Sequence, residues 1–163
     1  MSLTIAVSAC LLGTPCRYDG RAKPCAAVQE LQHVPDIVLV PICPEVAGSL
    51  PTPRPASEIQ GDRVVNTEGV DVTAAFERGA ARELVRAQAT GCCLAILKAK
   101  SPSCGHGLVY DGSFSGALVP GDGLAAAALV AAGIPVINED ELAALARDTG
   151  GAGIGEALRA LVG

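Results

Sequence analysis

Four short runs of aliphatic and β-branched residues recur along the chain, each bounded by Gly, Pro or Cys. Thr4–Ala9, Asp36–Ile42, Cys93–Leu97 and Val136–Ile137 are continuous in their apolar character rather than alternating, which predicts strands covered on both faces. Between them lie segments with helical spacing. Pro24 opens a short helix carrying Ala26, Val28 and Leu31 and ending before Pro35. Asp71 caps a longer one over Val72–Ala89, closed by Gly91. Ala125–Ala132 is helical up to Gly133, and Asp140 caps a last helix through Ala146. Two hairpins interrupt the alternation: Glu58–Gln60 with Arg63–Asn66 across Gly61–Asp62, and Val109–Leu118 turning at Asp111–Gly112. The Pro-rich loop Cys43–Pro55 is too long for a connector, and the Gly-rich segment after Asp148 has no clear period.

Strands alternating with helices predict an α/β fold. We expect a single domain over residues 1–163, with a mostly parallel sheet of about four strands flanked by helices in a Rossmann-like arrangement and small hairpin insertions. In such sheets ligands bind beyond the C-terminal ends of the strands. Cys10 follows the first strand, Cys43 the second, and Cys104 lies in the loop after the third, so the topology brings three thiols to one edge. Thiolates that share a site repel one another unless a cation neutralises them, which points to a metal or iron–sulfur centre. Ordinary burial of a small apolar side chain is the competing reading. Cys16 shares a loop with Cys10 and is a reserve ligand; Cys25, Cys92 and Cys93 read as packing.

Composition narrows the chemistry. Seven cysteines in 163 residues, with no basic region ahead of the first apolar run, predict a reducing cytoplasmic location rather than a disulfide framework. A net charge of −5 with scattered Lys and Arg does not provide the basic surface that polymeric nucleic acid requires. The longest apolar stretch, Gly123–Gly133, falls well short of the roughly 18 residues that span a bilayer. A small-molecule partner and a monomeric protein are expected. Half the residues are hydrophobic but only 2% aromatic, so small aliphatic side chains must build the core.

The loops at the strand ends then form a recognisable set. Ser8-Ala9-Cys10-Leu11-Leu12-Gly13, Cys16-Arg17-Tyr18-Asp19-Gly20, Cys43-Pro44-Glu45 with Pro51-Thr52-Pro53-Arg54-Pro55, and Lys100-Ser101-Pro102-Ser103-Cys104-Gly105 resemble the bacterial thiouracil desulfidases (TudS-like), a family formerly catalogued as a domain of unknown function. The resemblance continues through Tyr110-Asp111-Gly112, Gly121-Asp122-Gly123 and Gly133-Ile134-Pro135-Val136, covering about Leu3 to Leu145. Ser49 departs from it, standing where the family usually has a second Gly after Gly48.

The resemblance implies a [4Fe–4S] cluster held by Cys10, Cys43 and Cys104 with one iron left open, unlike the four-Cys clusters of electron transfer. It implies non-redox conversion of 2-thiouracil, 4-thiouracil or their nucleosides and nucleotides to the oxo pyrimidine and hydrogen sulfide, the open iron binding the substrate sulfur. Glu45, two residues past a ligand, is then placed to activate water, its pKa raised by apolar neighbours Pro44 and Val46. Ser101 is the second catalytic candidate, by hydrogen bonding to the pyrimidine or proton relay; Ser8, Arg54, Lys100 and Ser103 are the substrate-binding ones, with turn formation the rival for Ser103. Arg17 and Lys98 are further cations near the site, His106 a base ranked below Glu45, and Gly105, Gly107, Gly121 and Gly123 read as tight-turn residues. Two alternatives stand beside this reading: a zinc-binding structural or interaction module, and a thiol oxidoreductase using Cys10 and Cys16.

Overall fold

The computed structural model describes residues 2–163. In chain order it contains β1 (Leu3–Ser8), a 3-10 turn at Ala9–Leu12, α1 (Ala26–Glu30), β2 (Ile37–Ile42), α2 (Pro44–Ala47), the pair β3 (Ser57–Gln60) and β4 (Arg63–Asn66), and α3 (Thr73–Ala89). There follow β5 (Leu94–Leu97), the pair β6 (Leu108–Tyr110) and β7 (Leu118–Pro120), α4 (Leu124–Ala131), β8 (Val136–Asn138), α5 (Glu139–Asp148) and α6 (Ile154–Val162).

The four apolar runs pair as one parallel sheet in the order β2-β1-β5-β8, with Ser8 opposite Ile42 and Leu97 opposite Asn138. Alternate side chains of β1 leave opposite faces. Ile5 and Val7 join Val28, Leu142, Ile154 and Leu158 from α1, α5 and α6, whereas Ala6 joins Ala87, Ala126 and Leu129 from α3 and α4. The α/β fold with hairpin insertions is therefore the one the sequence predicts. Among the described residues no helix is long and apolar enough to cross a membrane.

Local details differ from expectation for identifiable reasons. β2 accommodates Pro41 because it is an edge strand, where a missing N–H costs no interior ladder bond. α5 is capped by Asn138 rather than Asp140: Asn138 Oδ1 accepts the Glu141 amide at 2.9 Å and Glu141 Oε1 accepts the Asn138 amide at 3.2 Å. The second hairpin does not turn at Asp111–Gly112; its loop runs from Asp111 to Ala117, and Asp111 instead forms a local turn with Ser113. The segment after Asp148 contains α6, whose Ile154 and Leu158 enter the core.

The Pro-rich loop after β2 is rigid in a specific way. It begins with α2, which lies in backbone contact with α3 at two glycines. A Cβ on Gly79 would stand 1.8 Å from the Pro44 carbonyl oxygen, and one on Gly48 would stand 2.1 Å from that of Ala75. Arg78, Arg82 and Arg86, one turn apart on α3, donate to the carbonyls of Gly48, Ala47 and Pro41, each at 2.6 Å. α3 thereby fixes the segment that carries Cys43 and Glu45.

Candidate active site

A cavity of about 860 Å³ opens at the C-terminal edge of the sheet, where strand-end loops meet. Cys10, Cys16, Cys43 and Cys104 all line it. Each arrives by a different route. Cys10 lies in the 3-10 turn that terminates β1, and Cys43 is the residue before α2, its amide donating to the buried Glu83 carboxylate on α3 at 2.9 Å. Cys104 closes a turn in which Ser101 Oγ accepts the amides of Ser103 and Cys104, both at 3.1 Å. That turn rests against Gly123, where a Cβ would come within 2.5 Å of the Ser103 backbone. Gly105 is similarly constrained, since its Cβ would stand 2.6 Å from the Ser101 carbonyl oxygen.

Three of these thiols, Cys16, Cys43 and Cys104, resist ionisation. Cys16 lies within hydrogen-bonding reach of Cys10 and Cys43; its pKa is raised, first by the bond to Cys10. Cys43 is raised far above the ordinary thiol range, first by the bond to Cys16 and then by burial. Burial pushes Cys104 up to about 12, against hydrogen bonds from Ser8 and Ser103 that favour its thiolate. A cation would reverse this balance by stabilising the thiolates, at the cost of releasing their protons. Cys25 reaches the cavity wall, while Cys92 and Cys93 lie outside it.

Beside the thiols runs a chain of polar contacts. Ser101 Oγ lies 3.0 Å from Ser103 Oγ, which donates to Glu45 Oε2 at 2.9 Å. Glu45 Oε1 accepts from Arg54 Nε at 3.0 Å. Arg54 also donates to the carbonyls of Pro51 and Cys16 and to Thr52 Oγ1, so its guanidinium, only 4% exposed, is committed within the protein. Arg54 lines the cavity with its donors so engaged. The Glu45 carboxylate is engaged on one oxygen by Arg54 and on the other by Ser103.

Other candidates separate clearly. Ser8 is buried and lines the cavity; its hydroxyl accepts the Lys98 amide at 2.9 Å and bonds to Cys104. Ser103 is also buried and Ser101 half-buried, and both line the cavity. Lys100 lies exposed on the rim at φ +71°, a backbone conformation that costs a non-glycine residue energy. Lys98 is paired to Glu139 at 2.8 Å. His106 binds Asp122 at 2.9 Å and does not line the cavity. Sequence reasoning missed Glu139, although its place directly after the fourth strand is a signal, and it missed Glu58 and Phe114 of the hairpins, for which the sequence offers none; Tyr110 stands in the Tyr110-Asp111-Gly112 motif but had no role assigned.

A family model described as 2-thiouracil desulfurase matches residues 5–141. The chain belongs to that family. The reaction class of this desulfurase, removal of sulfur from a thiolated uracil, follows from the membership. The Bacillus subtilis (strain 168) protein called uncharacterized protein YbbK is 40% identical to the desulfurase over 148 residues, which is 85% of this chain and 97% of that one. The solved structure of the [4Fe–4S]-dependent thiouracil desulfidase TudS is 46% identical, covers 91% of this chain and 99% of its own, and superposes with a TM-score of 0.80.

The thiols of the desulfurase suit a cluster in their chemistry. Among the described residues no three His, Cys, Asp or Glu side chains converge as they would around a single metal ion. A cluster asks for one thiolate per iron, so its ligands need not meet at one atom. Sulfur donors from separate loops, walling one cavity, meet that requirement.

Proposed function

We propose that the protein is a [4Fe–4S]-dependent desulfidase that converts 2-thiouracil, 4-thiouracil or their nucleosides and nucleotides to the oxo pyrimidine and hydrogen sulfide. Cys10, Cys43 and Cys104 would hold the cluster, which would then have one iron without a protein ligand. When bound, the cluster supplies a Lewis-acid iron with affinity for soft sulfur. The observation that carries this reading is the convergence of those three thiols, Glu45 and Ser101 on one cavity at the sheet edge.

The reaction adds one water and releases one hydrogen sulfide, with no net electron transfer. Glu45 is the base that takes a proton from the attacking water. Each carboxylate oxygen engaged by Arg54 or Ser103 keeps a second lone-pair site, so Glu45 can accept from water without breaking either contact. Arg54 holds the carboxylate in place. Ser103 connects Glu45 to Ser101, and the three together form a route along which that proton can pass toward the substrate nitrogen or sulfur. Lys100 on the rim is the cation available to a nucleotide phosphate.

Anaerobic cluster reconstitution followed by a sulfide assay on 2- and 4-thiouracil, their nucleosides and their nucleotides tests the proposal. A brown protein that releases sulfide from at least one of them is the expected result. Iron bound without turnover on any of them would overturn the desulfidase reading while sparing the cluster.

A further inference from the structure

The cavity has a second polar centre, away from the thiols, on the two inserted hairpins. Glu58 of β3 is 8% exposed and lines the cavity. Its Oε1 accepts the amides of Gly112 at 3.0 Å and Phe114 at 3.1 Å, both from the loop between β6 and β7. Oε2 has no partner. Among the described residues no side-chain nitrogen or oxygen sealed from solvent lacks a hydrogen bond, so Oε2 remains reachable by solvent. One carboxylate therefore has a structural half and an open half.

The surroundings of that open half suit a flat ring. The chain contains only two Tyr and two Phe, and three of these four, Tyr18, Tyr110 and Phe114, line this same cavity, leaving Phe76 in the core. Chance placement of so scarce a residue class is a poor explanation. Aromatic faces stack on heterocycles, and an acceptor beside them fixes the orientation of whatever is stacked. The loop bearing Phe114 is held to β3 a second time, by Gln60 Nε2 donating to the Gly112 carbonyl at 2.8 Å, and Gly112 has no room for a side chain, since a Cβ would lie 2.7 Å from the Ile59 carbonyl oxygen. The acceptor and the aromatic wall are thus built as one unit.

We infer that Glu58 Oε2 is a specificity-determining acceptor, receiving a hydrogen bond from a neutral N–H or O–H donor of the pyrimidine substrate held against Tyr110 and Phe114. The inference rests on the proposed desulfidase reading. A carboxylate demands a donor; a ring or sugar with none at that position leaves a buried charge unmet and is rejected. Two parts of a thiolated nucleoside carry such donors, the ring nitrogens and the sugar hydroxyls.

Glu58→Gln separates the two halves of the residue. Its amide oxygen still accepts from Gly112 and Phe114, while its NH2 presents donors to the cavity in place of an acceptor. On the reconstituted enzyme, uracil and uridine serve as unreactive probes in calorimetric titrations. The substitution should weaken binding about tenfold or more and raise KM for the corresponding thiolated substrate while leaving kcat nearly unchanged. Weakened binding of both probes assigns the donor to the ring, and of uridine alone to the sugar. Binding of both probes left unaltered by Glu58→Gln would overturn the inference. If the unsubstituted enzyme releases no sulfide, it is the desulfidase reading that has failed.

Discussion

Ser103 Oγ donates to Glu45 Oε2 at 2.9 Å, joining two loops 58 residues apart in sequence, one carrying Cys43 and the other Cys104. The bond sets the carboxylate beside the thiols and links it to Ser101. If Ser103 acts through Glu45, its loss should matter only while Glu45 is present. Glu45→Gln is expected to lower turnover by about a thousandfold and Ser103→Ala by about tenfold to a hundredfold, both with unchanged cluster absorption. The double variant should then be no slower than Glu45→Gln alone. Multiplied losses in the double variant would show that Ser103 contributes independently.

Arg54 is the residue on which the geometry of this corner rests, because its guanidinium binds Glu45 and the Cys16 carbonyl together. Arg54→Ala removes the charge partner of a largely buried carboxylate and strands three further acceptors. Urea unfolding of the apoprotein should report a loss of about 3 kcal/mol. Arg54→Lys restores the charge but not the fork of donors, and should recover only a minor part of that loss. Stability equal to that of the unsubstituted protein in Arg54→Ala would remove its positioning role.

The sheet and the convergence of thiols were legible because each follows from a simple pattern. Continuous apolar runs mark the strands, and a cysteine just past a parallel strand must lie at its C-terminal edge. Loop-borne geometry was not legible. The hold of Arg54 on Glu45 was hidden because a sequence shows a charge but not its partners, which here are Glu45, Pro51, Thr52 and the Cys16 backbone. Ser101 and Ser103 stand two residues apart in one turn, and only the fold decides which hydroxyl caps the turn and which reaches the carboxylate. Asn138 displaced Asp140 as a cap because β8 runs directly into α5, leaving Asp140 already inside the helix.

Glycine is required at one position facing α2 and missing at another, and the two should respond with opposite signs. Gly79→Ala drives a methyl group into the Pro44 carbonyl, so α2 must move; the apoprotein should lose stability and the reconstituted protein should bind less iron. Ser49 holds φ +72°, where a Cβ is penalised. Ser49→Gly should therefore stabilise by about 0.5–1 kcal/mol, after allowing for the greater freedom of glycine in the unfolded chain. It also gives up the 3.4 Å contact from Arg82, which is too long to offset that gain. A lowered thermal midpoint for Ser49→Gly would refute the account of this loop.

Cys16 is the thiol whose role bears most directly on the mechanism. It is buried against Cys10 and Cys43, and its carbonyl accepts from Arg54 Nη2 at 2.8 Å, so its loop is held at the cavity wall from both sides. With Cys10, Cys43 and Cys104 as the ligands, Cys16→Ala should retain the iron and acid-labile sulfide content of the reconstituted protein, whereas Cys104→Ala should lose both. Loss of the cluster in Cys16→Ala as well would make Cys16 a fourth ligand, and the iron would then lack the open position on which sulfur abstraction depends. An intact cluster with abolished turnover would instead point to thiol chemistry at Cys16. Iron content, visible absorption and sulfide release measured on the same anaerobic preparation separate the three outcomes.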